Sequence, residues 1–207
     1  MKYEWKKNDK TLYMPKNAPT VIDVPAMNYF TLHGSGNPNH AAFEEAVGVL
    51  YSLSYAIRMM PKKGVTPEGY YEYTVFPLEG VWDLEEEARG AAVLDKDKLV
   101  YTLMIRQPEF VTEAFAQEVI ETVSQKKPHP LLSKVRFETI EEGMCVQMMH
   151  HGPYDDEPAS FARMEQYCEE HGLIRVSKLH KEIYISDVRK TQPDKLKTAL
   201  RFKVRNV

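Results

Sequence analysis

Apolar positions recur along the chain at spacings that predict the same order of strands and helices twice. Two-residue alternation indicates half-buried strands, and three- to four-residue spacing indicates helices. The first half is predicted to contain a strand at 27–34, a helix through Phe43, Ala46, Val47, Leu50 and Ile57, strands at 70–80 and 99–108, and a helix at 111–127. The charged, small-residue stretch 84–98 is predicted to be a connection.

The second half repeats this order of strand, helix, strand and strand. His33-Gly34 and His151-Gly152 lie 118 residues apart, and Phe43 and Phe161 are separated by the same number. Each Phe follows a turn and opens a helix. The alignment of "YYEYTVFP" with "HKEIYISD" also gives Glu72 and Glu182 similar places. We therefore expect one domain over residues 1–207 that contains two modules, 20–127 and 133–207.

Such a duplication predicts an α+β fold with largely antiparallel sheets and pseudo-two-fold symmetry. Each module would place its helix on one sheet face, and the other faces would form a central ligand groove. Ligands prefer seams of this kind.

The segment "HKEIYISDVRKT", residues 180–191, supplies the most informative strand. Alternation puts Ile183 and Ile185 on one face, which we expect to pack under the helix. The opposite face, which carries Glu182 and Tyr184, would look into the groove. A carboxylate beside a ring in the middle of a strand has two explanations: the face is solvated, or it lines a pocket.

Composition and charge narrow the range of possible functions. The chain has 207 residues, 43% of them hydrophobic and 28% charged, which is ordinary for a globular protein. A net charge of −3 gives no electrostatic footprint for nucleic acid or for an anionic membrane. No apolar run approaches the roughly 20 residues of a membrane span, and the charged N-terminus lacks a signal-peptide pattern. Two separated cysteines, Cys145 and Cys168, indicate reduced thiols and a cytoplasmic location.

Neither a metal nor another cofactor is predicted. His150 and His151 are adjacent in a predicted strand, so their side chains point to opposite faces and cannot chelate one ion together. No clustered Cys/His spacing accompanies them. The stretch "GSGNPN" lacks the Lys of a phosphate-binding loop.

Several stretches together are more specific than any one alone. They are "KYEWKK", "GNPN", "LYSLSYAIR", "PLEGVWD", "MIRQPEFVTEA", "KVRFETIEEGMCVQMMHHGPYDDEP" and "KEIYISDVRKTQPDKLKTALR". Over nearly the whole chain, they resemble the GyrI-like small-molecule-binding family, in the stand-alone branch without a DNA-binding domain. The resemblance implies a fold of two tandem strand-helix-strand-strand (SHS2) modules, in agreement with the repeat.

The resemblance also implies a site for flat, hydrophobic and often cationic ligands, with a buried glutamate among aromatic rings. By position that glutamate is Glu182. The candidate rings are Trp82, Tyr184, Tyr55, Tyr154, Tyr71 and Phe161. Three of them have a plainer explanation: Tyr55 and Phe161 could be core residues of helices, and Trp82 could pack on a turn. Asp83 stands where the family commonly has a second Trp, a departure that would thin the aromatic cage.

A sub-group that this chain resembles more closely hydrolyses the cyclopropane of DNA-alkylating natural products of the yatakemycin and duocarmycin type. Glu182 would orient or deprotonate the attacking water, because a partly desolvated carboxylate is a better base near neutral pH. Stacked rings would hold the flat ligand near its attack position.

Two other functions stay open. The first is a binding module that sequesters or senses hydrophobic drugs without chemistry. The second is a protein-interaction role, such as tempering a topoisomerase, which rests on fold analogy alone. The oligomeric state is left open.

Overall fold

The computed structural model describes residues 2–88 and 94–207 and has an α+β fold with antiparallel strand pairing. In these residues the strands are β1 Thr20–Val24, β2 Met27–Ser35, β3 Leu78–Leu84, β4 Leu99–Arg106, β5 Arg136–Ile140, β6 Gly143–His151, β7 Leu173–Arg175, β8 His180–Tyr184 and β9 Lys197–Asn206. The α-helices of the same residues are α1 Trp5–Asn8, α2 Lys10–Tyr13, α3 Ala41–Arg58, α4 Glu113–Lys126 and α5 Glu157–Glu170. The predicted fold class is therefore confirmed. Residues 89–93 of the predicted connection lie outside the described residues.

The chain forms two compact units. Unit 1 contains Met27–Ile140 with the N-terminal residues up to Tyr3, and unit 2 contains Glu4–Ala26 with Glu141–Val207. These boundaries separate compact parts of the chain and do not test a duplication. The single domain over residues 1–207, with modules at 20–127 and 133–207, therefore stays a prediction.

Unit 1 is a four-stranded antiparallel sheet in the order β3-β4-β2-β5. Helix α3 packs on β2 and β4, and α4 packs on α3 and β5. The apolar face of α3 is buried through Leu50, Leu53 and Ile57, as its helical spacing predicts. Helix α4 begins after Thr112, whose side chain accepts a hydrogen bond from the Phe115 amide at 3.2 Å and caps the helix.

Unit 2 is an antiparallel sheet in the order β1-β6-β9-β8, with the short β7 also paired to β9. Helix α5 packs on β6 and β7. A buried core joins α5 to one face of β6 and β9. Its members are Val146, Met148, Met164, Cys168, Leu200, Phe202 and Val204. Because Leu200 is the cross-strand partner of Glu182, the Glu182 face of β8 is the face that α5 covers.

The prediction about the faces of β8 is therefore wrong. Ile183 was expected under the helix and Glu182 on the other face, but Glu182 lies on the helix side. The opposite face carries Ile183, which is fully buried, and Lys181, whose ammonium is paired to Glu142. The apolar pattern alone did not identify the helix side because both faces of β8 are buried.

The two units share a strand register. His33 of β2 pairs with Thr102 of β4, and His151 of β6 pairs with Lys197 of β9. The predicted match between His33 and His151 thus extends to the strands beside them.

That register corrects the predicted match of Glu72 with Glu182. Ile105 lies three residues after Thr102 and pairs with Leu78 in unit 1. Leu200 lies three residues after Lys197 and pairs with Glu182 in unit 2. Leu78 therefore occupies the place of Glu182, and only unit 2 carries a carboxylate there. Glu72 precedes β3 and forms an exposed ion pair with Arg58.

The strand predicted at 70–80 begins later, at Leu78. Residues 70–77 belong to no strand and make a single bridge, between Tyr3 and Tyr73. Pro77 lacks the amide hydrogen that ladder pairing needs, which explains the late start. Arg58 holds this segment by donating a 2.6 Å hydrogen bond from Nε to the Tyr73 carbonyl. Among the described residues, no helix has both the length and the apolar composition to cross a membrane.

Candidate functional site

Strand β8 places three polar side chains on its helix-facing side. His180, Glu182 and Tyr184 alternate with Lys181 and Ile183, as predicted. Glu182 is 8% exposed, which excludes the solvated alternative. The His180 Nε2 donates to Glu182 Oε1 at 3.0 Å, and the Tyr184 hydroxyl donates to Oε2 at 2.9 Å. Both carboxylate oxygens are thus held from within the same strand.

Helix α5 brings a second carboxyl to Glu182. Glu157 is the first residue of α5, follows the 3-10 turn Tyr154–Asp156, and is 5% exposed. One ligating atom each from Glu157, His180 and Glu182 lies within 4.8 Å of the others. Two acidic groups and an imidazole therefore meet in a largely buried space at the start of the helix.

Burial and charge shift the protonation of this cluster. Burial raises the pKa of Glu157 far above its usual range, and the Glu182 carboxylate beside it raises it further, both by repulsion and by accepting its proton in a hydrogen bond. Burial also raises the pKa of Tyr154 to about 12, helped by the negative charges of Glu182, Glu157 and Asp187. Both shifts favour the neutral, protonated form of these two side chains.

Aromatic rings lie against this cluster. The rings of Tyr154 and Tyr184 meet edge to face with centroids 5.8 Å apart. The ring of Phe161, one turn into α5, meets the His180 imidazole edge to face at 4.7 Å. Three predicted ligand-binding rings, those of Tyr154, Tyr184 and Phe161, are therefore grouped with Glu182 in unit 2.

Two kinds of positive charge could be held in this cluster, a divalent metal ion or a proton. A divalent cation can be ligated by carboxylate oxygens and an imidazole nitrogen. Here, however, His180 and Tyr184 already donate hydrogen bonds to Glu182, and Glu157 is its third partner. This arrangement suits a proton held between the two carboxyls better than a metal ion. The site is therefore suited to acid–base chemistry and to attracting a cationic group.

A second hydrogen-bonded pair supports the start of α5. The His150 Nε2 donates to the Pro153 carbonyl at 3.0 Å, which leaves Nδ1 to accept from the Ser160 hydroxyl at 2.9 Å. His151 instead lies 2.9 Å from the Asn17 side chain. The neighbouring histidines point in different directions, as the alternation predicts.

The remaining predicted rings belong to unit 1, each in its own surroundings. Trp82 is buried in β3 and stacks on Phe43 at 5.8 Å. Tyr55 is 52% exposed on α3. Tyr71 meets Phe110 edge to face at 5.5 Å. The role of these three rings as ligand contacts stays a prediction.

Sequence reasoning missed Glu157. The signal that could have revealed it is the buried stripe of α5, because Ser160, Met164 and Cys168 lie at helical spacing from Glu157 and are buried with it. An acidic residue in the first helical turn is usually solvated and favoured by the helix dipole. Its place on the apolar stripe distinguishes Glu157 from that common case.

Both thiols are buried and free, as predicted for Cys145 and Cys168. Burial raises the pKa of Cys145 to about 11, so this thiol is a poor nucleophile at neutral pH.

A comparison with known protein families identifies one family for this chain. The profile of the GyrI-like small molecule binding domain matches residues 17–205. Among curated proteins, none matches the chain.

Crystal structures of three proteins from Listeria innocua are similar over nearly the full length of both chains. One, described as an uncharacterized conserved protein, is 39% identical with a TM-score of 0.91, and covers 98% of this chain and 100% of its own. The other two are described as hydrolases. They are 38% and 37% identical with TM-scores of 0.90 and 0.88, and cover 99% and 98% of this chain and 100% of their own.

Proposed function

This chain belongs to the GyrI-like small-molecule-binding family, and from that premise we propose that it binds flat, hydrophobic or cationic compounds at Glu182 and hydrolyses the cyclopropane of DNA-alkylating compounds of the yatakemycin and duocarmycin type. The observation that carries this proposal is the buried Glu182 carboxyl, held by His180 and Tyr184 beside aromatic rings. The similarity to two hydrolases from Listeria innocua supports the catalytic part. The cell would thereby be protected from alkylation in its cytoplasm.

The ligand chemistry follows from charge and ring surface. A buried carboxylate attracts a cationic group, and the faces of Tyr154, Tyr184 and Phe161 offer stacking surface to a flat molecule. Because Glu182 is fixed by two donors, it keeps one orientation as the ligand arrives. Trp82, Tyr55 and Tyr71 are also proposed as ligand-binding residues.

The reaction is an addition of water. The water oxygen forms a bond to the least hindered cyclopropane carbon, and the strained carbon–carbon bond breaks. Its electron pair moves into the conjugated ring system, whose carbonyl becomes a phenolate. Glu182 takes one proton from the attacking water and then releases it to solvent, and the phenolate gains one proton from solvent, so the balance is one added water molecule. A base in this position contributes about 100-fold or more to the rate.

A turnover assay tests the proposal. Purified protein is incubated with excess duocarmycin-type compound, and ring-opened product is followed by mass spectrometry. We expect many product molecules per protein, and a loss of about 100-fold or more in Glu182→Gln, which keeps the shape of the side chain and removes the base. Glu169→Gln, on the exposed face of α5, is the matched control and should retain full activity. Full activity in Glu182→Gln would reject this mechanism.

The second candidate function is binding without chemistry. It is favoured by the hydrogen bonds on both Glu182 oxygens, which suit a fixed anion that neutralises a cationic ligand. Tight binding with the compound recovered intact, and weakened binding in Glu182→Gln, would select this function over hydrolysis.

A further inference from the structure

Glu157 and Glu182 form a pair of buried carboxyls in unit 2. Their exposures are 5% and 8%. Glu182 accepts hydrogen bonds on both oxygens, whereas Glu157 Oε1 is buried without a hydrogen-bond partner among the described residues. A buried carboxylate oxygen without a donor is costly, whereas the carbonyl oxygen of a neutral carboxylic acid tolerates that position better.

The groups around Glu157 also disfavour a second negative charge. Asp155 and Glu182 both repel it. On β8, His180 and Tyr184 direct their donors to Glu182. On β6, His150 is bound to Ser160 and to the Pro153 carbonyl. Among the described residues, Glu157 Oε1 accepts no hydrogen bond, and the proposed neutralising group for this carboxyl is a proton. Burial together with Glu182 accordingly raises the pKa of Glu157.

We propose that Glu157 is a positioning residue that shares one proton with Glu182, so that the pair carries a single negative charge at neutral pH. Glu157, as the acid, donates a hydrogen bond to Glu182. Glu182 stays the anion and keeps the orientation that a base or a cation-binding group needs. The role in ligand handling rests on the proposed function, whereas the shared proton is a property of the protein alone.

The shared proton has a consequence for stability with a definite sign. A carboxyl whose pKa is raised in the folded state binds its proton more tightly there than in the unfolded chain. This contribution to stability is fully present below the unfolded pKa and is lost as pH rises through the folded value. The Glu157→Gln side chain is neutral at every pH and can still donate to Glu182.

Thermal unfolding without ligand tests the shared proton. We expect the melting temperature of the natural protein and of Glu169→Gln to fall by several degrees from about pH 6 to about pH 9, and that of Glu157→Gln to fall clearly less. An equal fall in all three proteins overturns the proposal. If Glu157→Gln does not fold, infrared spectra of the natural protein decide, because a buried neutral carboxyl must show its carbonyl band at neutral pH and lose it in alkali.

Two further measurements distinguish the shared proton from a bound metal ion and from the proposed hydrolysis. If a bound metal ion rather than a proton neutralises the pair, EDTA will change the pH dependence of melting and zinc will restore it, which contradicts the proposal. With a duocarmycin-type compound, Glu157→Gln should keep turnover at neutral pH and Glu157→Ala should lose it. Absence of turnover in every protein refutes the proposed hydrolysis alone and leaves the melting result standing.

Discussion

The Tyr184 hydroxyl shows how much a single donor matters to a buried charge. Its 2.9 Å hydrogen bond to Glu182 Oε2 is charge-assisted, and such bonds contribute about 1.5–3 kcal/mol when they are partly buried. The ring of Tyr184 also packs edge to face with the ring of Tyr154. Removing the hydroxyl alone therefore separates the hydrogen bond from the packing.

We expect Tyr184→Phe to lower the free energy of unfolding by about 1–2 kcal/mol, because Glu182 loses a donor in a poorly solvated space. The measurement is urea unfolding at neutral pH. Tyr167→Phe, on the same unit but stacked over His171, is the control and should change stability by less than about 0.5 kcal/mol. Equal effects of the two substitutions would show that the hydroxyl of Tyr184 does not support Glu182.

At the scale of the element, β8 separates two charged clusters by its pleat. One face carries Glu182, and the other carries Lys181, whose ammonium lies 2.6 Å from Glu142 Oε1. Arg201 of β9 joins the second cluster through Glu142, at 3.3 Å, and through Gln147. In this second cluster two cations lie on Glu142 Oε1, whereas Glu157 Oε1 has no hydrogen-bond partner among the described residues.

Glu142→Gln tests the second cluster. Burial by itself would raise the pKa of Glu142, but Lys181 and Arg201 outweigh it and hold the pKa below its usual range. The substitution leaves both cations short of their anion, and we expect it to lower the free energy of unfolding by about 3 kcal/mol at neutral pH.

The advantage of the natural protein over Glu142→Gln is present above the unfolded pKa of a glutamate. It should disappear as pH falls through the depressed folded value. The exposed Glu141→Gln is the neighbouring control, and unfolding curves measured in acid and at neutral pH provide the comparison. A difference that stays constant in acid would contradict the assigned ion pairs.

The antiparallel pair of β2 and β4 in unit 1 gives a second prediction at this scale. A Cβ on Gly34 would lie 2.4 Å from the ring of its cross-strand partner Tyr101, which packs on Trp82. Gly34→Ala must displace that ring, and we expect a loss of about 1–3 kcal/mol in urea unfolding. Gly48→Ala, in open space on α3, should instead stabilise by about 0.5–1 kcal/mol. A neutral Gly34→Ala would mean that Tyr101 moves freely.

At the scale of the whole molecule, periodicity was enough to predict most elements and the α+β class. Helix α3 and strands β2, β4 and β6 follow the apolar pattern directly. The helix-covered face of β8 was not predictable, because both of its faces are buried and one buries charges. The start of β3 was missed because aromatic residues before Pro77 imitate a strand.

The candidate site was predictable in part, for a related reason. Glu182 and Tyr184 could be placed together, because alternation within a strand is local. Glu157 could not, because its approach to Glu182 depends on how α5 crosses the sheet. A contact between residues 25 positions apart depends on tertiary packing, which a single sequence does not encode in its periodicity.

The measurement that tests the central claim most directly uses water enriched in heavy oxygen. The protein is mixed with excess duocarmycin-type compound in this water, and both product and protein are weighed by mass spectrometry. The account predicts a ring-opened product that carries one heavy oxygen atom, formed over many turnovers and lost in Glu182→Gln. Product without heavy oxygen, or an alkylated protein after a single turnover, would contradict it.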